Sequence, residues 1–178
     1  MLPQVDFIIA DPVSHKNELL ELNVEYMTWV CKGVESHFGI LADQVLGMPV
    51  ADYVSTVIDK VCGAPPPKGI FYLVKVDGGL AGMGGIRFVR NGVAEIKRIY
   101  FRPIYRGNRL GEQMLNRLIA DAAEFGYEAA LLDSGPFMTS AQKVYESCGF
   151  VDCASYEEAE VPKEFHIGWR FMKRQIQQ

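Results

Sequence analysis

The chain has 178 residues and a formal net charge of −4, with 49% hydrophobic and 22% charged residues. That balance is ordinary for a globular protein and argues against a nucleic-acid partner. No apolar run approaches the ~18 residues a membrane-spanning helix requires.

Val5 to Ala10 reads as a first strand, broken by Asp11-Pro12, with Ser14 placed to cap the helix after it. Leu19, Leu22, Tyr26, Trp29 and Val30 recur near helical spacing and predict a helix over Glu18 to Val30. Val50, Val54, Val57, Ile58 and Val61 predict a second, over Val50 to Cys62. Pro65, Pro66 and Pro67 then force a loop up to Gly69. Ile70 to Val76 and Leu80 to Val89 are strands joined by the hairpin turn Asp77-Gly78-Gly79. The glycines at 82, 84 and 85 do not form a dinucleotide fingerprint: no helix comes after them, and Arg87 stands where the last glycine belongs. Close packing or a bulge is the expectation there.

Asn91-Gly92 turns the chain into a fourth strand, Ala94 to Arg102, which Pro103 ends. A helix over Glu112 to Phe125 carries an apolar face of Leu110, Met114, Leu115, Leu118, Ile119 and Ala122, and Gly126 stops it. Glu128 to Leu132 is a fifth strand. Thr139 or Ser140 starts a short helix ending at Gly149, and Phe150 to Ser155 and Phe165 to Lys173 read as final strands. The order predicts a mixed α/β fold around one central sheet, in a single domain over residues 1–178. The four cysteines, Cys31, Cys62, Cys148 and Cys153, show neither Cys-x-x-Cys nor zinc spacing, so no metal site is expected. The N-terminus has no basic stretch followed by an apolar one, and a cytoplasmic protein is the expectation.

The stretch most suggestive of chemistry is Arg106-Gly107-Asn108-Arg109-Leu110-Gly111, between a strand and a helix. Backbone N–H groups and the helix dipole converge at such a loop and favour an anion. Gly107 and Gly111 allow close approach because no Cβ intrudes. A second block contains Ala141, Tyr145, Gly149 and Phe150. Together the two blocks resemble the GNAT superfamily of acyl-coenzyme A-dependent N-acyltransferases, whose loop reads Gln/Arg-x-x-Gly-x-Gly/Ala and whose later block reads Ala-x-x-x-Tyr-x-x-x-Gly-Phe. Arg109 stands where the family usually has its middle glycine, and Met138 where it often has an asparagine.

The resemblance implies a mainly antiparallel sheet of about seven strands with about four helices, splayed between the fourth and fifth strands. It implies acetyl-coenzyme A as co-substrate, held by Arg106, Gly107, Asn108, Arg109, Leu110 and Gly111. The backbone of Ile99, Tyr100 and Phe101 would hold the pantetheine arm and the reaction's oxyanion. Tyr145 would protonate the leaving thiolate, and Glu95 would be the general base. The acceptor would be a small-molecule amine or a peptide. A homodimer is compatible with the sequence. A non-catalytic domain that binds or senses acyl-coenzyme A is the alternative reading.

Overall fold

The computed structural model describes residues 3–177. Its sheet contains β1 (Val5–Ile9), β2 (Gly69–Val76), β3 (Gly79–Arg90), β4 (Val93–Phe101), β5 (Ala129–Ser134), β6 (Val151–Asp152) and β7 (Arg170–Gln175). The spatial order is β1-β2-β3-β4-β5-β7-β6. Neighbours are antiparallel except β4 and β5. Helices α1 (Lys16–Phe38), α2 (Ala42–Leu46), α3 (Val50–Cys62), α4 (Leu110–Glu124) and α5 (Thr139–Ser147) cover the sheet.

The alternation of β2 sorts the core into layers. Ile70, Tyr72 and Val74 face Met114, Leu115 and Leu118 of α4. Phe71 and Leu73 face the other way, onto Leu19, Leu22, Val54 and Ile58 of α1 and α3. Strand residues point to alternate faces, so a strand buried on both sides reads as an unbroken apolar run. Gly84 serves close packing, as its neighbourhood in the sequence suggests: a Cβ there would lie 3.0 Å from Met114 of α4.

Several boundaries differ from the sequence expectation. α1 runs on to Phe38, because Cys31 and Val34 extend its buried stripe, and it stops at Gly39 in the left-handed conformation (φ 68°). The glycine at 33 does not end it. A Cβ there would overlap the Phe137 ring, so Gly33 makes room for an aromatic side chain. The short helix α2 was not expected. β6 is only two residues long, and the expected last strand begins at Arg170, after a 3₁₀ turn at Lys163–Phe165.

Two irregularities in β4 shape the molecule. Met83 pairs with Tyr100 but Gly85 pairs with Lys97, so a bulge lies at Arg98–Ile99, and Arg98 takes a positive φ of 54°. On the other edge, β4 pairs with β5 only at Val93↔Ala129, Ala94↔Ala130 and Glu95↔Leu131. Beyond Glu95 the two strands part.

A charged cluster ties the segment after β6 to the sheet. Glu95, fully buried, accepts from Arg87 (Nε 2.8 Å) and from the Tyr156 hydroxyl (2.8 Å). Arg87 also meets Glu160 at 3.0 Å, and Lys97 meets Glu160 at 3.2 Å. Burial works against the charge on Glu160, but Lys97 and Arg87 outweigh it and hold the carboxyl below its usual range. Removing one partner of a buried ion pair leaves the other charge uncompensated, at a cost of about 3–5 kcal/mol. Glu95→Ala should therefore lose roughly 3 kcal/mol in denaturant unfolding, the lower end of that range because Arg87 keeps Glu160. The midpoint should fall with the m-value unchanged. A loss below ~1 kcal/mol would place the pair in the class of exposed, weakly contributing ones.

Candidate functional site

The loop between β4 and α4 adopts the geometry of an anion cradle. Gly107 has φ 90° and Arg109 has φ 55°. Arg109 therefore takes the left-handed conformation that a glycine would adopt at no cost, and it is the residue that precedes α4. Its side chain turns outward to Glu112, with Nε–Oε2 at 2.8 Å. The backbone N–H groups of Arg109, Leu110, Gly111 and Glu112 have no hydrogen-bond acceptor among the described residues, while Gln113 begins the helical ladder by donating to Arg109. A Cβ on Gly107 or Gly111 would meet nothing within 4 Å. Four free donors, a helix N-terminus and open space thus coincide.

Arg106 leans back over the sheet. Its Nε donates to the Phe101 carbonyl at 2.9 Å, and its guanidinium lies 5.8 Å from the centre of the Tyr100 ring. Both Nη groups are without a partner among the described residues. Asn108 turns inward on the loop, donating weakly to the Tyr105 carbonyl at 3.4 Å.

From the loop a groove of about 580 Å³ runs between β4 and α5. Ile99, Tyr100 and Phe101 form one bank, and Ser140, Ala141 and Val144 form the other. A second cavity, of about 220 Å³, lies on the far side, where β4 and β5 part. It is walled by α1, α2 and α3, by Arg98 and Asp133 from the two parting strands, and by Glu160, Phe165 and Trp169. An aromatic row separates groove and cavity. Tyr26 packs on Trp29 (6.2 Å between ring centres), Trp29 on Phe137 (5.8 Å), and Phe137 on Trp169 (6.0 Å). Trp29 and Phe137 face the groove, whereas Tyr26 and Trp169 face the cavity. The bulge sends consecutive residues to different spaces: Arg98 to the cavity, Ile99 to the groove.

Tyr145 sits on α5 in the main core, 9% exposed. Its hydroxyl has no hydrogen-bond partner among the described residues. Burial, with the Tyr26 hydroxyl and the Asp133 carboxylate nearby, pushes its proton affinity well above that of a free phenol. Tyr145 is therefore a neutral O–H group, able to donate.

Glu95 is not brought to the site. The strand position expected to carry a general base is fully buried, lines neither groove nor cavity, and is saturated by Arg87 and Tyr156. The side chain instead anchors the C-terminal segment. Two carboxylates reach the cavity: Glu160, which is paired with Lys97 and Arg87, and Asp133, at the end of β5, which accepts from Trp169 Nε1 at 2.9 Å. Asp133 lies outside both sequence blocks that suggest the chemistry. Its position at the carboxyl end of a central strand was the available signal. Arg98 and Asn23 were missed altogether. Asn23 is a polar residue on the buried stripe of α1, fully buried and bonded to Arg98 at 2.6 Å.

Residues 42–150 match the Acetyltransferase (GNAT) family. The chain is 26% identical over 141 residues to the Escherichia coli N-acetyltransferase YjgM, covering 74% of this chain and 82% of that one. It is 31% identical over 105 residues to an N-acetyltransferase of Schizosaccharomyces pombe, covering 57% of this chain and 64% of that one. Among solved structures, a GNAT-family acetyltransferase of Staphylococcus aureus Mu50 aligns with a TM-score of 0.67 at 18% identity, over 98% of this chain and 100% of that one. PaiA N-acetyltransferase of Thermoplasma acidophilum, solved in complex with coenzyme A, aligns with a TM-score of 0.68 at 15% identity, over 97% of this chain and 99% of that one. The structural likenesses establish the seven-stranded fold with its parallel β4–β5 pair, and the family match spans more than half of the sequence, so the chain belongs to the acetyltransferase (GNAT) family of N-acetyltransferases.

Proposed function

We propose that the protein transfers an acetyl group from acetyl-coenzyme A to the primary amine of a small molecule. The observation that carries this reading is the run of four free N–H groups from Arg109 to Glu112 at the mouth of a groove that ends against a second, smaller cavity. The donors and Arg106 suit the pyrophosphate. The groove between Ile99–Phe101 and α5 suits the pantetheine arm. Acetyl-coenzyme A supplies a thioester, whose acyl carbon exchanges its C–S bond for a C–N bond.

The residues have to manage two protons. At pH 7 an alkyl amine with pKa ~10.4 is unprotonated about once in 2,500 molecules. Asp133 holds the ammonium in the cavity and takes its proton, the role that the sequence alone assigns to Glu95. Tyr145 gives its hydroxyl proton, or a hydrogen bond, to the departing thiolate and regains a proton from solvent. The bulge at Arg98–Ile99 frees backbone N–H groups from the β3 ladder, and these support the developing oxyanion.

Binding of coenzyme should stabilise the fold. Acetyl-coenzyme A at 100 times its dissociation constant adds ~2.7 kcal/mol, read as a rise in Tm, while ATP and NAD should do far less. A shift with another nucleotide and none with acetyl-coenzyme A would overturn the assignment.

Arg106→Ala should weaken coenzyme binding about 10- to 150-fold, the value of a charge-assisted bond to phosphate, and lower kcat less than affinity. Arg109→Gly should be tolerated, because it relieves a left-handed residue and removes only an exposed pair worth ~0–1 kcal/mol. Titration calorimetry of both variants checks the pair.

Tyr145→Phe keeps the buried ring and should leave stability nearly unchanged. Its rate should fall about 10²-fold or less, because a thiolate of pKa ~8.5 is already a fair leaving group. Asp133→Asn should lose most at low pH, where the amine is almost fully protonated, and recover as pH rises. A full maximal rate for Tyr145→Phe at every pH would make the hydroxyl structural.

A further inference from the structure

The cavity beyond the aromatic row contains two ionic side chains, Arg98 and Asp133, that form no ion pair among the described residues, although the Arg98 charge still acts at longer range on Glu160. Its other charges are balanced internally: Lys97 and Arg87 flank Glu160, and Arg87 also pairs with Glu95. Arg98 has no such partner. It is 8% exposed, yet no carboxylate lies within ion-pairing distance among the described residues. Among the described residues its one hydrogen bond is from Nη1 to the neutral Asn23 amide oxygen, at 2.6 Å, and its guanidinium lies 5.8 Å from the centre of the Tyr26 ring. Asn23 is itself fixed by donating to the Leu19 carbonyl at 2.8 Å, so it orients the guanidinium without cancelling its charge. In the same cavity, Asp133 accepts the neutral indole N–H of Trp169 and no other side-chain donor among the described residues.

A buried guanidinium without a counterion is costly, and so is a positive φ at a non-glycine residue. Here both fall on Arg98. A fold that keeps both features presents a planar, two-pronged donor suited to a carboxylate. The cation comes from β4 and the anion from β5, on the two sides of the parting strands. Val30, Val34, Phe165 and Trp169 give the cavity an apolar wall, beside the Lys97–Glu160 pair and the Tyr26 and Tyr53 rings. At about 220 Å³ the space is below the usual ~300–1,000 Å³ of drug-sized ligand sites.

We propose that the acceptor is a free amino acid with an apolar or aromatic side chain, its carboxylate bound by Arg98 and its α-ammonium by Asp133. This inference rests on the acetyltransferase reading of the groove. The ammonium gives one proton to Asp133, which passes it to solvent; the amine nitrogen bonds to the acetyl carbon and loses a second proton to solvent as the C–S bond breaks; Tyr145 gives its hydroxyl proton to the thiolate, so that coenzyme A leaves as the thiol, and regains a proton from solvent. A peptide N-terminus or a simple alkylamine would satisfy Asp133 and leave Arg98 uncompensated.

The test measures release of coenzyme A thiol with matched acceptors: leucine against isoamylamine, phenylalanine against phenethylamine, and spermidine as a carboxylate-free polyamine. The readout is the ratio of kcat/KM for each amino acid to that for its decarboxylated partner. The wild-type ratio should exceed about 10, and Arg98→Gln should lower it about 10- to 150-fold, whatever happens to the overall rate. Arg98→Lys, which keeps charge but not the fork, should give an intermediate ratio. If neither variant folds, the wild-type ratio decides alone. A ratio near one, preference for spermidine, or a ratio unmoved in Arg98→Gln overturns the proposal. So does coenzyme binding, seen as a Tm shift, with no amino acid acetylated; the groove reading then survives. Absence of both the Tm shift and any turnover removes the acetyltransferase reading and this inference with it.

Discussion

The site depends on β4 being unable to pair along its whole length. A regular β4 would bond to β3 on one edge and to β5 on the other, and the sheet would be closed where the groove and cavity now lie. Two constraints prevent this. The bulge puts Arg98 in the left-handed region, at a cost of about 1–2 kcal/mol. The register with β5 ends at Glu95. The strain sits where strained backbone tends to collect, at residues that must turn a side chain or an N–H group out of the ladder. The 2.6 Å bond from Arg98 to Asn23, a residue of α1, is part of what holds the bulge in place.

Below the parting point the same strand does the opposite. Glu95, Arg87, Lys97 and Glu160 form a cluster with balanced charge that fastens the C-terminal segment to β3 and β4. That segment carries Phe165 and Trp169, two walls of the smaller cavity. Strand β4 therefore changes character within three residues. At Glu95 it is a fastener with every carboxylate oxygen engaged, and at Arg98 it offers a charge left unmatched.

Much of the fold was legible because it is written in local patterns. The turn pairs Asp77-Gly78 and Asn91-Gly92, the apolar stripe of α4 and the unbroken run of β2 each specify an element from adjacent residues. The anion loop was legible for the same reason, as glycines and a helix start lie within six positions. Arg109 in place of a glycine is a departure in the sequence, yet its φ of 55° is one that a glycine adopts at no cost. Glu95 was misread because its role depends on Arg87, eight residues away on another strand, and on Tyr156, sixty-one residues away. Neither Arg98 nor Asn23 is marked by any local pattern, since a bulge and a cross-layer hydrogen bond arise only once α1 packs on the sheet. α1 extends past Val30 through Gly33, whose missing side chain accommodates Phe137 from a distant loop, a contact that no local pattern marks.

Beyond Arg106, the loop before α4 offers mainly neutral N–H dipoles. The charge of Arg109 is largely cancelled by Glu112, and the whole chain carries a net −4. Fixed charges act over a Debye length, about 10 Å at 0.1 M salt, and are screened as ionic strength rises. Backbone dipoles act at contact and are screened little. A polyanion approaching this protein accordingly gains little long-range steering beyond that of Arg106, so salt should act on its capture mainly through that one charge. Apart from Arg106, recognition is built into the shape of the main chain, which leaves the loop's other side chains free to change so long as its conformation is preserved.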